Sequence, residues 1–262
     1  MSADNSVATV SVPVRIIPRL DIKGTNVVKG IHLEGLRIVG KPQDLAARYY
    51  REGADELVYM DIVASLYGRN NLMEIVEETA REIFIPLTVG GGVRVLEDIV
   101  KLLRAGADKV AINTGAIKRP MFLSEAARAF GSQCIVLSIE AKRQANGSWE
   151  AYTDNGRERT GLDVVAWARR GVELGAGEIL VTSIDQEGTR RGFDLELVAK
   201  ISDQVPVPVI ACGGAGKPED MLCAVRDGRA DAVSAAYIFH SGLHSISEVK
   251  RVFDGSGVGV RR

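Results

Sequence analysis

Eight short apolar runs recur along this chain, separated by longer stretches of a different period. The runs are VRIIPRLDI, ELVYMDI, IPLTVGG, KVAIN, CIVLSIEA, EILVTSI, VPVIACGG and DAVSAA. Each is short and most are rich in Val and Ile, as expected of strands buried on both faces of a parallel sheet. The stretches between them include PQDLAARYYREG, NLMEIVEETAREI, VLEDIVKLLRAG and DVVAWARRGVELG. Their apolar residues fall at i, i+3, i+4, and several end in glycine, the signature of amphipathic helices with C-terminal stops. Eight strand-then-helix units predict an α/β fold, the closed (β/α)8 TIM barrel. An open doubly wound sheet is the alternative; its G-x-G-x-x-G turn is absent, because KGTNVVKG has the wrong spacing.

An internal repeat supports the barrel. ADELVYMDI recurs as AGEILVTSI, with Glu56 against Glu178, 122 residues apart. VGGG recurs as CGGAG, with Gly91 against Gly214, and GADKVAINTGA recurs as GRADAVSAAYI, with Asp108 against Asp231, each pair 123 apart. Asp21 and Glu140, 119 apart, belong to the same series. The chain therefore reads as two half-barrels of four units.

At 262 residues, 46% apolar and with a formal charge of -1, one barrel over residues 12–253 accounts for the chain. Residues 1–11 read as a flexible N-terminal extension and 254–262 as a glycine-rich C-terminal tail able to close a subunit contact. The near-zero charge gives no electrostatic support for a nucleic-acid partner. Cys134, Cys212 and Cys223 are few and odd in number, which suits a reducing, cytoplasmic setting. Neither a signal peptide nor a membrane-length apolar run is evident, so no membrane partner is expected. His32, His240 and His244 form no metal spacing with the cysteines and read as loop or surface residues. No metal or cofactor is expected.

The repeat has chemical content. Glycine turns after the third run (Gly91, Gly92) and the seventh (Gly213, Gly214, Gly216) free backbone N–H groups to face an anion, and the following helix adds its positive end. Glycines also serve tight turns, but two matched copies favour a pair of phosphate cradles, half a barrel apart. Between them, at the C-terminal ends of the first and fifth runs, stand Asp21 and Glu140, where a barrel carries its catalytic groups. Pairing with Lys23 or Lys142 is the plainer reading of either acid. At the opposite end, Arg15, Glu56, Lys109 and Glu178 open their runs as two bases and two acids, enough for a compensated ring that seals the floor or gates it.

GADELVYMDIVAS, FIPLTVGGG, GADKVAINT, FGSQCIVLSIEAKR, GAGEILVTSIDQEGT and PVIACGGAGK resemble the cyclase subunit of imidazole glycerol phosphate synthase, over about residues 14–253. The resemblance implies a barrel that binds a bis-phosphorylated formimino-carboxamide ribonucleotide. It also implies ammonia from a glutaminase subunit docked on the N-terminal face, and release of imidazole glycerol phosphate and an aminoimidazole carboxamide ribonucleotide. It makes Arg15, Glu56, Lys109 and Glu178 an ammonia gate and puts the two catalytic aspartates at Asp21 and position 140, here glutamate. Lys29 matches the lysine of the loop after the first run, and Asn113, Thr114, Thr182 and Ser183 match polar groups at the mouth. Gly92, Gly214 and Gly216 match the phosphate turns.

Four departures fall at that mouth. Besides Glu140, Arg19 stands where the family has a small residue, Glu187 where it has aspartate, and Tyr237 where a serine holds the second phosphate. Arg19 shares a strand face with Asp21. Were it to pair with Glu140, it would lower that pKa and spoil a general acid. Three readings follow: the histidine-pathway cyclase itself, a relative passing ammonia to a different nucleotide or sugar, or a non-catalytic glutaminase activator. Retained gate charges and both cradles weigh against the last.

Overall fold

The computed structural model describes residues 12–62 and 72–261; the N-terminal extension lies outside the described residues. Its strands are β1 (Arg15–Lys23), β2 (Asn26–Ile31), β3 (Glu34–Gly40), β4 (Leu57–Asp61), β5 (Leu87–Gly90), β6 (Lys109–Ile112), β7 (Ile135–Arg143), β8 (Trp149–Thr153), β9 (Glu158–Asp163), β10 (Glu178–Ser183), β11 (Val209–Cys212) and β12 (Ala232–Ala235). Eight of them pair in parallel around a ring, β1-β4-β5-β6-β7-β10-β11-β12, closed by the pairing of β12 with β1. These are the eight apolar runs, and the fold is the (β/α)8 barrel. The amphipathic stretches form helices Pro42–Arg51, Leu72–Glu82, Leu96–Ala105 and Val164–Glu173 on its outside. Gly106 ends the third of these at φ 112°, a left-handed value that favours glycine.

Two cores result. The larger lies between strands and helices, while Ile17, Val58, Ala111, Val136, Leu180, Ile210, Cys212 and Ala232 fill the barrel interior. Strand alternation decides which residues go where: 15, 17, 19 and 21 of β1 point inward, and Ile16, Leu20 and Ile22 join the outer core.

The repeat is visible at the level of single bonds. Asp108 accepts the N–H of Leu87 at 2.8 Å, and Asp231 accepts that of Val209 at 2.9 Å, each tying a turn to the start of a neighbouring strand. Likewise Asp98 accepts the N–H groups of Arg94 and Val95, and Asp220 those of Gly216 and Lys217, so each glycine turn is braced by a carboxylate from the helix that follows.

Two hairpins are inserted at matching places in the two halves, each after the barrel strand that carries a mouth acid. β2 and β3 form an antiparallel ribbon after β1; β8 and β9 form another after β7. In the tail, the last long helix runs Ile246–Gly255, and Val260 then bridges to Val14 beside the barrel floor.

Candidate active site

At the floor, Arg15 bonds Glu56 at 2.8 Å and also Glu178, while Lys109 reaches Glu56 at 3.0 Å and Glu178 at 2.9 Å. Thr88 adds a hydroxyl to Glu56 at 2.7 Å. Each base thus touches both acids, and the four side chains form a closed, nearly buried ring. The inner apolar layer lies above it.

Above that layer the mouth begins. Arg19 and Asp21 are both inward on β1, and the guanidinium Nε donates to Asp21 Oδ1 at 2.7 Å. Its Nη1 crosses to Thr182 Oγ1 on β10 at 2.9 Å and lies 3.7 Å from Cys212 Sγ. Lys29, carried in by the β2–β3 hairpin, donates to the other oxygen of Asp21 at 3.2 Å and pairs closely with Glu187. Burial would raise the Asp21 pKa, but Arg19 and Lys29 overcome it and hold the carboxyl at about 2. Asp21 is therefore a permanent anion at neutral pH. Arg19 pairs with Asp21 rather than with Glu140: Asp21 is two residues away on the same strand face and takes the guanidinium. Nor does Lys23 or Lys142 hold either acid; Lys142 lies over the Tyr152 ring.

Glu140 ends the inward face of β7. Its Oε2 accepts the N–H of Gly156, from the turn of the β8–β9 hairpin, at 2.8 Å. Burial pushes its pKa up to about 7, against the lowering effect of Arg19 and of that N–H. Two acids related by the repeat thus titrate far apart, Asp21 well below neutrality and Glu140 near it, the division of labour seen where one carboxyl stays charged and another moves protons.

Glu140 lines a cavity of about 100 Å³ that contains the first cradle: Gly91, Gly92, Asn113 and Thr114, with Arg94 and Lys118 at its edge. Gly91 is at φ 105°, and a Cβ there would lie 2.3 Å from the Asp61 carbonyl, so no other residue fits. Asn113 donates to the Tyr152 carbonyl at 3.1 Å, and its Oδ1 has no partner among the described residues. Arg94, Lys118 and Gly156 were not singled out in the sequence. A basic residue within a turn of each glycine or threonine of a cradle was the available signal for the first two; nothing local marked Gly156.

The second cradle is different. Gly213, Gly214, Lys29, Glu187 and Tyr237 surround a space of about 10 Å³. Tyr237 also walls a larger cavity of about 750 Å³ beneath the hairpin, lined in addition by Arg37, Arg190 and His240. Gly216 lies on the same turn, but its N–H is already committed to Asp220. Thr182 faces the interior, where its Oγ1 accepts from Arg19, and Ser183, the last residue of β10, is buried beside the Gly213 turn with its hydroxyl unpartnered among the described residues. His240 is also not the surface residue expected: its Nδ1 meets Tyr49 Oη at 2.6 Å, and burial pushes its pKa down to about 3.

Among the described residues, no cluster of three or more His, Cys, Asp or Glu is arranged to hold a metal ion, and no helix is long and apolar enough to cross a membrane.

Residues 15–245 match the sequence family described as "Histidine biosynthesis protein". The imidazole glycerol phosphate synthase subunit HisF of Legionella pneumophila is 68% identical over 207 residues, 79% of this chain and 98% of that protein. The protein of the same name from Corynebacterium diphtheriae is 54% identical over 256 residues, covering 95% and 99%. That of Dehalococcoides mccartyi is 53% identical over 247 residues, covering 94% and 97%. With a family match across most of the chain and relatives more than half identical to it, this chain belongs to the histidine biosynthesis protein family, among its imidazole glycerol phosphate synthase HisF subunits.

Proposed function

We propose that this chain works as the cyclase subunit of imidazole glycerol phosphate synthase, with Asp21 as fixed anion and Glu140 as the group that moves protons. The observation that carries this assignment is the split between the two acids: one is locked by Arg19 and Lys29, the other is poised near neutrality beside an open cradle.

A phosphate of the bis-phosphorylated substrate sits in the first cradle against the turn at Gly91 and Gly92, with Asn113, Thr114, Lys118 and Arg94 around it. This places the reacting imine near Glu140. Ammonia condenses with the sugar carbonyl and water leaves; the new nitrogen then attacks the formimino carbon, closing the ring and shedding a proton as the bond from that carbon to the amino nitrogen of the aminoimidazole carboxamide breaks. Glu140, about half ionised near pH 7, takes that proton as carboxylate and returns it, as acid, to the departing amino nitrogen of the aminoimidazole carboxamide. Asp21 stays charged and stabilises the cationic intermediates between.

The ammonia comes from a glutaminase subunit seated on the N-terminal face. Phe84 and Val12, both more than 80% exposed, lie on that side and offer apolar contact, and the ring of Arg15, Glu56, Lys109 and Glu178 stands at its centre. Ammonia passes when one pair of the ring parts, and the apolar layer above admits neutral ammonia in preference to ammonium.

The test is steady-state turnover of the formimino ribonucleotide with ammonium at about pH 8, for the wild type, Asp21→Asn and Glu140→Asp. Turnover lost in Asp21→Asn and retained in part by Glu140→Asp supports the assignment. Absence of wild-type turnover, with a glutaminase still bound, would move the chain to another ammonia acceptor.

A further inference from the structure

Two glycine turns of the same ancestry end in different states, and the side chains that fill one of them carry an inference about ligand choice. The second cradle has about 10 Å³ free, whereas the first has about 100 Å³. A single water needs roughly 10–15 Å³ on this measure, so a phosphate has no room in the second cradle as it stands.

What fills it is an anion already. Glu187 is 4% exposed; one of its carboxylate oxygens pairs with Lys29, and the other lies 3.2 Å from where a Cβ on Gly213 would be. The carboxylate therefore rests against the turn whose N–H groups an incoming phosphate would use. The charges around it also balance. Arg19 and Lys29 supply two positive charges, Asp21 and Glu187 two negative ones, and every member is buried. A phosphate added to this quartet would meet no uncompensated cation.

Tyr237 completes the closure. It lines both the second cradle and the 750 Å³ cavity outside, as do Lys29 and Gly188, so these three stand between the two spaces. Arg190 stacks on that ring at 5.0 Å. The hairpin is fastened over the same place: His32 donates its backbone N–H to the Glu187 carbonyl at 2.8 Å, and a Cβ on Gly188 would lie 2.5 Å from the Gly30 carbonyl.

We infer that the second cradle is self-occupied: the Glu187 carboxylate, held by Lys29 and walled by Tyr237, takes the anion's place, and a phosphate enters only by removing Lys29 from Glu187. Ligands with one phosphate are thus received at the first cradle without hindrance, while the second phosphate of a doubly phosphorylated ligand must compete with the chain's own carboxylate. The competition lowers the apparent affinity of that half-site by the fraction of molecules in which it is open, about tenfold if the pair is broken one time in ten. This inference rests on the cyclase assignment only for the identity of the natural ligand; the occupancy itself is independent of turnover.

The probe is therefore inorganic phosphate rather than substrate. Crystals of the wild type and of Glu187→Gln are equilibrated in phosphate at about ten times the Kd of the first site, and solution binding is followed by 31P NMR. The expected result is phosphate at the first cradle alone in the wild type, and at both in Glu187→Gln, with the second site strengthened at least about tenfold and the first unchanged. Phosphate at both cradles of the wild type overturns the inference without any variant, and an empty second cradle in folded Glu187→Gln overturns it too. An empty first cradle with a filled second one in the variant would leave the inference standing and remove the first-cradle geometry from the proposed function.

Discussion

The two halves of the barrel share a backbone plan and differ in what occupies it. After β5, the glycine turn opens on a cavity bordered by Glu140, Lys118 and Arg94; after β11, the matching turn is packed with Glu187, Lys29 and Tyr237. The braces are the same in both, Asp98 and Asp220, as are the strand-start bonds of Asp108 and Asp231. Repetition has preserved the bonds that shape the turns, while the groups that meet a ligand come from long loops and hairpins free to diverge. The acids show the same divergence: Asp21 has two cationic partners, and Glu140 has one backbone N–H.

The largest expected effect falls on the charged side of this contrast. Asp21→Asn leaves Arg19 and Lys29 buried with one carboxylate fewer, and breaking a buried pair costs about 3–5 kcal/mol. Turnover should vanish and the thermal midpoint drop clearly; retention of either would show that the anion is dispensable. Next comes Glu140→Gln. Its kcat should fall by about 10²–10⁴-fold, and the inflection of the wild-type rate near pH 7 should disappear. Stability should move the other way. Glu140 has a raised pKa in the fold, so its stabilising contribution is complete below about 4.5 and lost as pH climbs through about 7. The Gln variant should thus gain on the wild type in melting temperature between pH 5 and pH 8. Asp21 has the opposite sign, contributing above its ordinary 3.8 and failing as pH falls toward 2.

Gly91→Ala and Gly214→Ala form a matched pair of intermediate size. Both residues sit beyond φ 100°, and a Cβ would meet a carbonyl oxygen at 2.3 Å and 2.0 Å respectively. Both should lose stability by about 1–3 kcal/mol, but only Gly91→Ala should also weaken inorganic phosphate binding, as calorimetry would reveal. The smallest effect is expected for Tyr237→Phe. The hydroxyl meets Arg190 at only 3.5 Å, so removing it should change stability and phosphate binding by less than about 1 kcal/mol. A large effect would mean that the hydroxyl, rather than the ring, closes the second cradle.

The barrel was legible because strand burial writes itself into sequence as β-branched runs, and the 122–123-residue repeat fixed how the units group. The mouth acids, the glycine turns and the floor ring could be placed for the same reason: each sits at a strand end, where alternation assigns its direction. Choice of partner was not legible. Arg19 had two carboxylates in prospect, and only the i, i+2 geometry of β1, with Thr182 receiving its far nitrogen, selects Asp21. Lys29 depends on how a hairpin folds back, and Glu187 on a loop; neither position follows from strand periodicity.

The bond from Gly156 to Glu140 gives the proton chemistry a spectroscopic handle. An amide that donates to a carboxylate changes its 1H and 15N chemical shifts when that carboxylate is protonated. Because burial keeps the Glu140 transition near pH 7, the Gly156 resonance should titrate where surface carboxylates are silent, reporting the state of the acid in the resting protein and, with ligand added, the pH at which it is set to act.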